Sequence, residues 1–149
     1  MVSEIVSIEG PIHFEEVIRR IREGCGLRRA GNKVRNIISS AIEMAENNGN
    51  IRRSGDFLLL NDTSQIPVRE RIYKPDITFI SAEEIEEAIK MVLDFESSVI
   101  KKELVIKTSR LFGFKTTSKK TLNRILGVME DMINKGILRE SNGKIDLNK

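Results

Sequence analysis

The side chains best able to do chemistry in this sequence are cations and amides gathered in two places. Arg28, Arg29, Asn32, Lys33, Arg35 and Asn36 sit together in GLRRAGNKVRNII, and Arg52 and Arg53 follow in IRRSG. Lys115, Thr117, Lys119, Lys120 and Asn123 form a second group in GFKTTSKKTLN, with Thr116 and Ser118 among them. Guanidinium and ammonium groups neutralise phosphates, and an Asn side chain can bond a base edge, so these types in this grouping support contact with nucleic acid. The competing reading is a solvated helix face, and Glu43 and Glu130 close by would repel phosphate.

Other chemistries find little support. One cysteine cannot make an internal disulfide, and together with one histidine it cannot complete a four-ligand zinc site. His13 has no nucleophile or carboxylate paired with it by motif and reads as a helix start; Cys25, beside Leu27, is expected to be buried. Gly24-Cys25-Gly26 lacks the rest of a dinucleotide fingerprint. We expect no catalytic residue, no metal, no cofactor and no small-molecule substrate. No run approaches the apolar length of a membrane span, and the N-terminus has no signal-peptide pattern, so the expected location is the cytoplasm.

The elements that must position the two groups follow from periodicity. Val2, Ile5, Val6 and Ile8 are too few to separate a strand from the end of a helix. After Gly10-Pro11, His13 with Glu16 reads as a helix start in which the Glu reaches back to the first free amide. Phe14, Val17, Ile18 and Ile21 then mark one buried face, ending near Gly24. A longer helix is expected from Asn32 to Asn47. Its stripe Val34, Ile38, Ala41 and Ala45 faces inward, Asn32, Asn36, Glu43 and Asn47 face outward, and Gly49 closes it. Residues 50–53 and 57–60 read as a hairpin about Ser54-Gly55.

Residues 61–80, with Pro67 and Pro75, read as a partly packed linker anchored by Val68, Ile72, Ile77 and Phe79. Ser81 and Glu84 make a capping box for a helix ending near Glu96, whose glutamates form a solvated face. Helices over 101–111 and 118–135 and a hairpin over 137–147, turning at Asn142-Gly143, complete the chain.

Shifting the numbering by 87 aligns the two halves without a gap over some forty positions, fixing Gly26 on Gly113, Lys33 on Lys120, Asn36 on Asn123, Glu43 on Glu130 and Gly49 on Gly136. Two unrelated amphipathic helices would match apolar positions but not both glycines, so the chain contains one unit twice. The same shift puts Ile5, Val6 and Ile8 on Val92, Leu93 and Phe95, which makes residues 1–9 the end of a helix. Either that helix is short or the sequence is a piece of a longer protein, and the mapping favours the second. The fold expected is α+β, mainly α, as two tandem winged helix-turn-helix units: residues 1–60, a linker over 61–80, and residues 81–149.

The runs EGPIHFEEVIRRI, GLRRAGNKVRNII, IRRSGDFLLL and IPVRERIYKPDITFISAEEIEEAI resemble a domain of unknown function found at the C-terminal end of large superfamily-one DNA helicases that carry a Vsr-like endonuclease domain. The resemblance implies an accessory module of a nucleic-acid-processing protein, with DNA, duplex or single-stranded, and other domains of the parent chain as partners. It names no site residues, and helicase and nuclease motifs are absent from these runs. A net charge of +3 and a pI near 9.1 are only mildly basic. The alternative is a protein docking module on the same scaffold, which split charge and an exposed apolar patch would favour. A dimeric regulator would need a dimer helix that the sequence lacks.

Overall fold

The computed structural model describes all of residues 1–149. It is α+β with helix predominating, and it divides into two compact units, Met1–Gln65 and Ile66–Lys149. The first unit runs α1 (Val2–Glu9), β1 (Ile12–His13), α2 (Phe14–Gly24), α3 (Asn32–Asn47), β2 (Ile51–Ser54) and β3 (Phe57–Leu60). The three strands form one antiparallel sheet in the order β1-β3-β2, with Ile12 opposite Leu58 and Ser54 opposite Phe57. Residues 1–9 are therefore helical, and β1 is a strand that two residues could not announce by alternation.

The second unit opens with an extended segment and a 3₁₀ turn (Ile77–Phe79). It continues as α4 (Ala82–Glu96), β4 (Ser98–Ile100), α5 (Lys101–Leu111), α6 (Lys119–Asn134), β5 (Leu138–Ser141) and β6 (Lys144–Leu147). Its sheet is ordered β4-β6-β5 and is again antiparallel. Adding 87 to the bounds of α2, α3, β2 and β3 reproduces those of α5, α6, β5 and β6 residue for residue. Strand pairing repeats too, since Ile12 opposite Leu58 becomes Val99 opposite Ile145. α1 corresponds to the last eight of the fifteen residues of α4.

The cores repeat in the same register. Val2, Val6, Ile12, Val17, Ile18, Ile38, Ile42, Ala45, Ile51 and Leu58 are the buried cluster of the first unit, and the residue 87 positions on is buried in the second in every case. Burial of these side chains, at about 25 cal/mol per Å² of apolar surface, is what holds each short helix and three-stranded sheet in place. The second core is larger, adding Ile77, Ile80, Ile85, Ala88, Phe112 and Val128 among others.

Local chemistry explains the helix ends and corrects two expectations. His13 caps α2 through its own ring, Nδ1 accepting from the Glu15 amide at 3.0 Å, while Glu16 turns to Arg19. Ser81 caps α4 by accepting from the Glu84 amide, but the Glu84 carboxylate does not reach back. It is fully buried, and Arg69 and Arg71 pair with it from the extended segment. The residues expected to form a linker thus begin the second unit from Ile66, with Ile77 and Ile80 in its core and Val68 packed on it, whereas Ile72 is almost fully exposed.

Candidate nucleic-acid interface

The start of α3 is built by the turn that precedes it. Gly26 takes a φ of +70° past the end of α2, and its amide and that of Leu27 close the helix on the Glu23 and Arg22 carbonyls. Arg22 then donates to the Arg28 carbonyl and ties down the loop that carries Arg28 and Arg29. α3 begins at Asn32, and Gly31 at its N-cap supplies no side-chain cap. Its first amides face outward with the positive end of the helix dipole, next to Lys33.

The sequence-picked residues of the first unit fall into two sets. Arg28, Arg29, Asn32, Lys33 and Asn36 are exposed, and Arg28, Arg29 and Lys33 form no ion pair. Arg35 is bound by Glu15 at 2.7 and 3.0 Å, which lowers the Glu15 carboxyl below its ordinary value. Arg53 pairs with Glu46 at 2.9 Å and lies over the Phe14 ring. Arg52 is exposed on β2 and reaches the Thr63 carbonyl only at 3.5 Å. Exposed pairs of this kind are weak and screened by salt, so Arg35 and Arg53 could exchange them for phosphate at small cost.

In the second unit the Ser118 hydroxyl caps α6 by accepting from the Thr121 amide, so this helix start is closed where that of α3 is open. Lys115, Lys119 and Asn123 are exposed. Lys120 is exposed but paired with Asp76 at 3.3 Å, and Thr117 turns inward to share a hydrogen bond with Ser109 at 2.8 Å. Thr117 is therefore a framework residue rather than a free donor. On α3, Asn32, Asn36, Glu43 and Asn47 point outward as the periodicity implied. Ala41, expected inward, is exposed, and Val34 is half-buried.

The remaining reactive groups do not converge. Cys25, expected to be buried, is exposed in the turn after α2. No group of three or more His, Cys, Asp or Glu side chains is placed to hold a metal ion, and no helix is long and apolar enough to cross a membrane. A shallow concavity between α1 and the hairpin is lined by Ser3, Glu4, Ser7, Asn50, Leu60 and Asp62, and the Ser7 hydroxyl there donates to the Glu4 backbone carbonyl rather than to a carboxylate. Glu84 with its arginines is the cluster that sequence reasoning missed; the two arginines before Pro75 were its one trace.

Residues 1–36 match a family described as a protein of unknown function (DUF3320). The match takes in α1, β1, α2 and the first turn of α3, so the loop with Arg28 and Arg29 lies inside it and the β2-β3 hairpin and the second unit lie outside. No curated protein and no solved structure matches the chain.

Proposed function

We propose that this chain is a non-catalytic accessory module that binds nucleic acid, built as two winged helix-turn-helix units and belonging to a helicase and nuclease type of protein. The observation that carries the reading is the repeated presentation of cations at equivalent helix starts. Arg28, Arg29 and Lys33 in one unit and Lys115 and Lys119 in the other are exposed and without ion pairs, with Asn36 and Asn123 outward one turn further on. In a winged helix that position meets the groove, and the hairpin, here carrying Arg52 and Arg53, meets the backbone. The residue runs that resemble helicase-associated domains support the same context.

The module would bind through charge more than through sequence. Residues 1–65 hold nine Lys and Arg against nine Asp and Glu, and residues 66–149 hold sixteen against thirteen, so no unit carries the large excess of a high-affinity duplex binder. Fluorescence anisotropy with labelled duplex and single-stranded DNA over a salt series tests this. If three cations of the first unit each neutralise a phosphate, affinity falls about 40-fold between 50 and 200 mM salt. Arg28→Ala with Lys33→Ala should remove most of the binding. Absence of binding to either form at low salt would refute the reading.

A further inference from the structure

One face of α3 is left bare where the middle of its equivalent on α6 is covered, with Val128 buried and Arg124 half-buried. Lys33, Ile37, Ala41, Met44 and Asn48 recur every three or four residues and so line one side of α3. Shifted by 87, they fall on Lys120, Arg124, Val128, Asp131 and Lys135 of α6 and the residue after it. On α6 the chain from Arg71 to Glu86 runs along this stripe. The Arg71 amide donates to the Phe112 carbonyl at the turn before α6, at 2.9 Å. Asp76 then pairs with Lys120, the 3₁₀ turn packs on the helix, and Ile77 shares a buried cluster with Val128. Glu86 comes within electrostatic reach of Lys135 and Asp131 at the far end.

None of this covers α3. Ile37 is 62% exposed and Met44 64%, and Lys33, Ala41 and Asn48 are exposed as well. Gly113 has the Arg71 backbone against it, whereas Gly26 has nothing within 4 Å. Residues 66–87 have no counterpart 87 positions earlier among residues 1–149. The bare stripe is also the more apolar of the two, with Ile37 and Met44 in place of Arg124 and Asp131. It lies beside the outward Asn32, Asn36 and Glu43, not among them.

We propose that this face of α3 is the seat of a polypeptide strap. The strap is an extended segment that sets a carboxylate against Lys33, as Asp76 does against Lys120, and then lays aliphatic side chains on Ile37, Ala41 and Met44. The second unit supplies the precedent for the path, and the lysine shared at positions 33 and 120 supplies the charge that fixes its register. Lys33 serves both readings, but Ile37, Ala41 and Met44 belong to the seat alone and Arg28 and Arg29 to the nucleic-acid reading alone, so either can fail without the other.

The probe is a synthetic peptide of residues 66–88, titrated into the full 149-residue chain with its methyl groups observed by NMR. We expect saturable shifts at Ile37, Ala41 and Met44 and none at Val128. Ile37→Ser with Met44→Ser should abolish them while leaving duplex affinity within about twofold, and Arg28→Ala with Arg29→Ala should do the reverse. Lys33→Glu should weaken the peptide at least about tenfold, and a peptide carrying Asp76→Lys should recover the loss. No shift at millimolar peptide overturns the proposal. So do shifts of the same methyls that follow protein concentration alone, which would assign the face to a second copy, or that duplex DNA alone produces.

Discussion

Gly26 and Gly113 stand 87 residues apart and end equivalent helices with equivalent hydrogen bonds, yet they answer different demands. Both need a positive φ, +70° and +95°. A Cβ on Gly26 would meet open space, while one on Gly113 would collide with the Arg71 carbonyl. The difference extends to the residue before each. Cys25 is exposed, and Phe112 is fully buried beneath the Arg71 guanidinium. One framework therefore appears twice, once bare and once with its own chain drawn across it; the covering segment adds Ile77 and Ile80 to the second core, and the longer α4 adds Ile85 and Ala88. A buried carboxylate fixes that segment: Glu84 has no exposed side-chain surface and accepts from the Arg69 amide and from the Arg71 guanidinium at 2.8–2.9 Å.

The largest expected break in the comparison is at Glu84. Glu84→Ala removes the buried carboxylate that Arg69 and Arg71 share and should destabilise the second unit by about 3–5 kcal/mol, with the first unit unchanged. Amide hydrogen exchange, read separately for α3 and α6, checks this. Next comes the glycine pair itself. Gly113→Ala should cost about 3 kcal/mol, from left-handed strain plus the collision, and Gly26→Ala about 1 kcal/mol from strain alone, both by chemical denaturation. Equal costs would mean that the Arg71 segment does not press on the turn.

Smaller differences sharpen the picture. Ser118→Ala removes the cap of α6 and should cost about 1 kcal/mol, whereas Gly31→Ser adds one to α3 and should gain a few tenths of a kcal/mol. The smallest effect belongs to Asp76. Burial alone would raise its carboxyl, but the Thr78 amide and Lys120 more than offset this and hold it below its ordinary value. Its contribution is thus present above the unfolded value of about 3.9 and is lost as pH falls through the lower folded one. For a side chain 43% exposed that contribution is under about 0.5 kcal/mol. Asp76→Asn should therefore differ from the parent at pH 7 and match it near pH 2, in thermal melts followed at the second unit.

Much of this architecture was legible in the residues. Caps, glycines and the 3.6-residue period placed α2, α3, α5 and α6 within a residue or so, and Asn142-Gly143, both at positive φ, marked the second hairpin turn. The repeat identified residues 1–9 as helix when their own pattern could not. What stayed hidden was short or non-local. β1 and β4, of two and three residues, are too brief to alternate. The apolar arc of α3 is wider than its core contact, and periodicity cannot say which edge of a wide arc is buried; hence Ala41 and Ile37 face out. Glu84 looked like surface because its partners lie 13–15 residues earlier, in a stretch that proline strips of periodicity. Of the candidate interface, the exposure of Arg28, Arg29 and Lys33 agrees with expectation, while the inward turn of Thr117 and the pairing of Lys120 depend on packing that no spacing rule encodes.

The register in which the two cores repeat bears on how the chain avoids assembling wrongly. Neighbouring copies of one unit invite exchange of equivalent helices during folding. Here the ten matched core positions share a single identical residue, Ile38 with Ile125. Putting α3 where α6 belongs would set Ala45 in the place of Met132, a large-to-small change that costs about 2–5 kcal/mol in a closed core. The reverse exchange would force a methionine into a site shaped for a methyl group. Unequal side-chain volume at matched positions thus makes each helix fit its own unit, and the same divergence that hides the duplication from simple identity keeps the two copies apart as they fold.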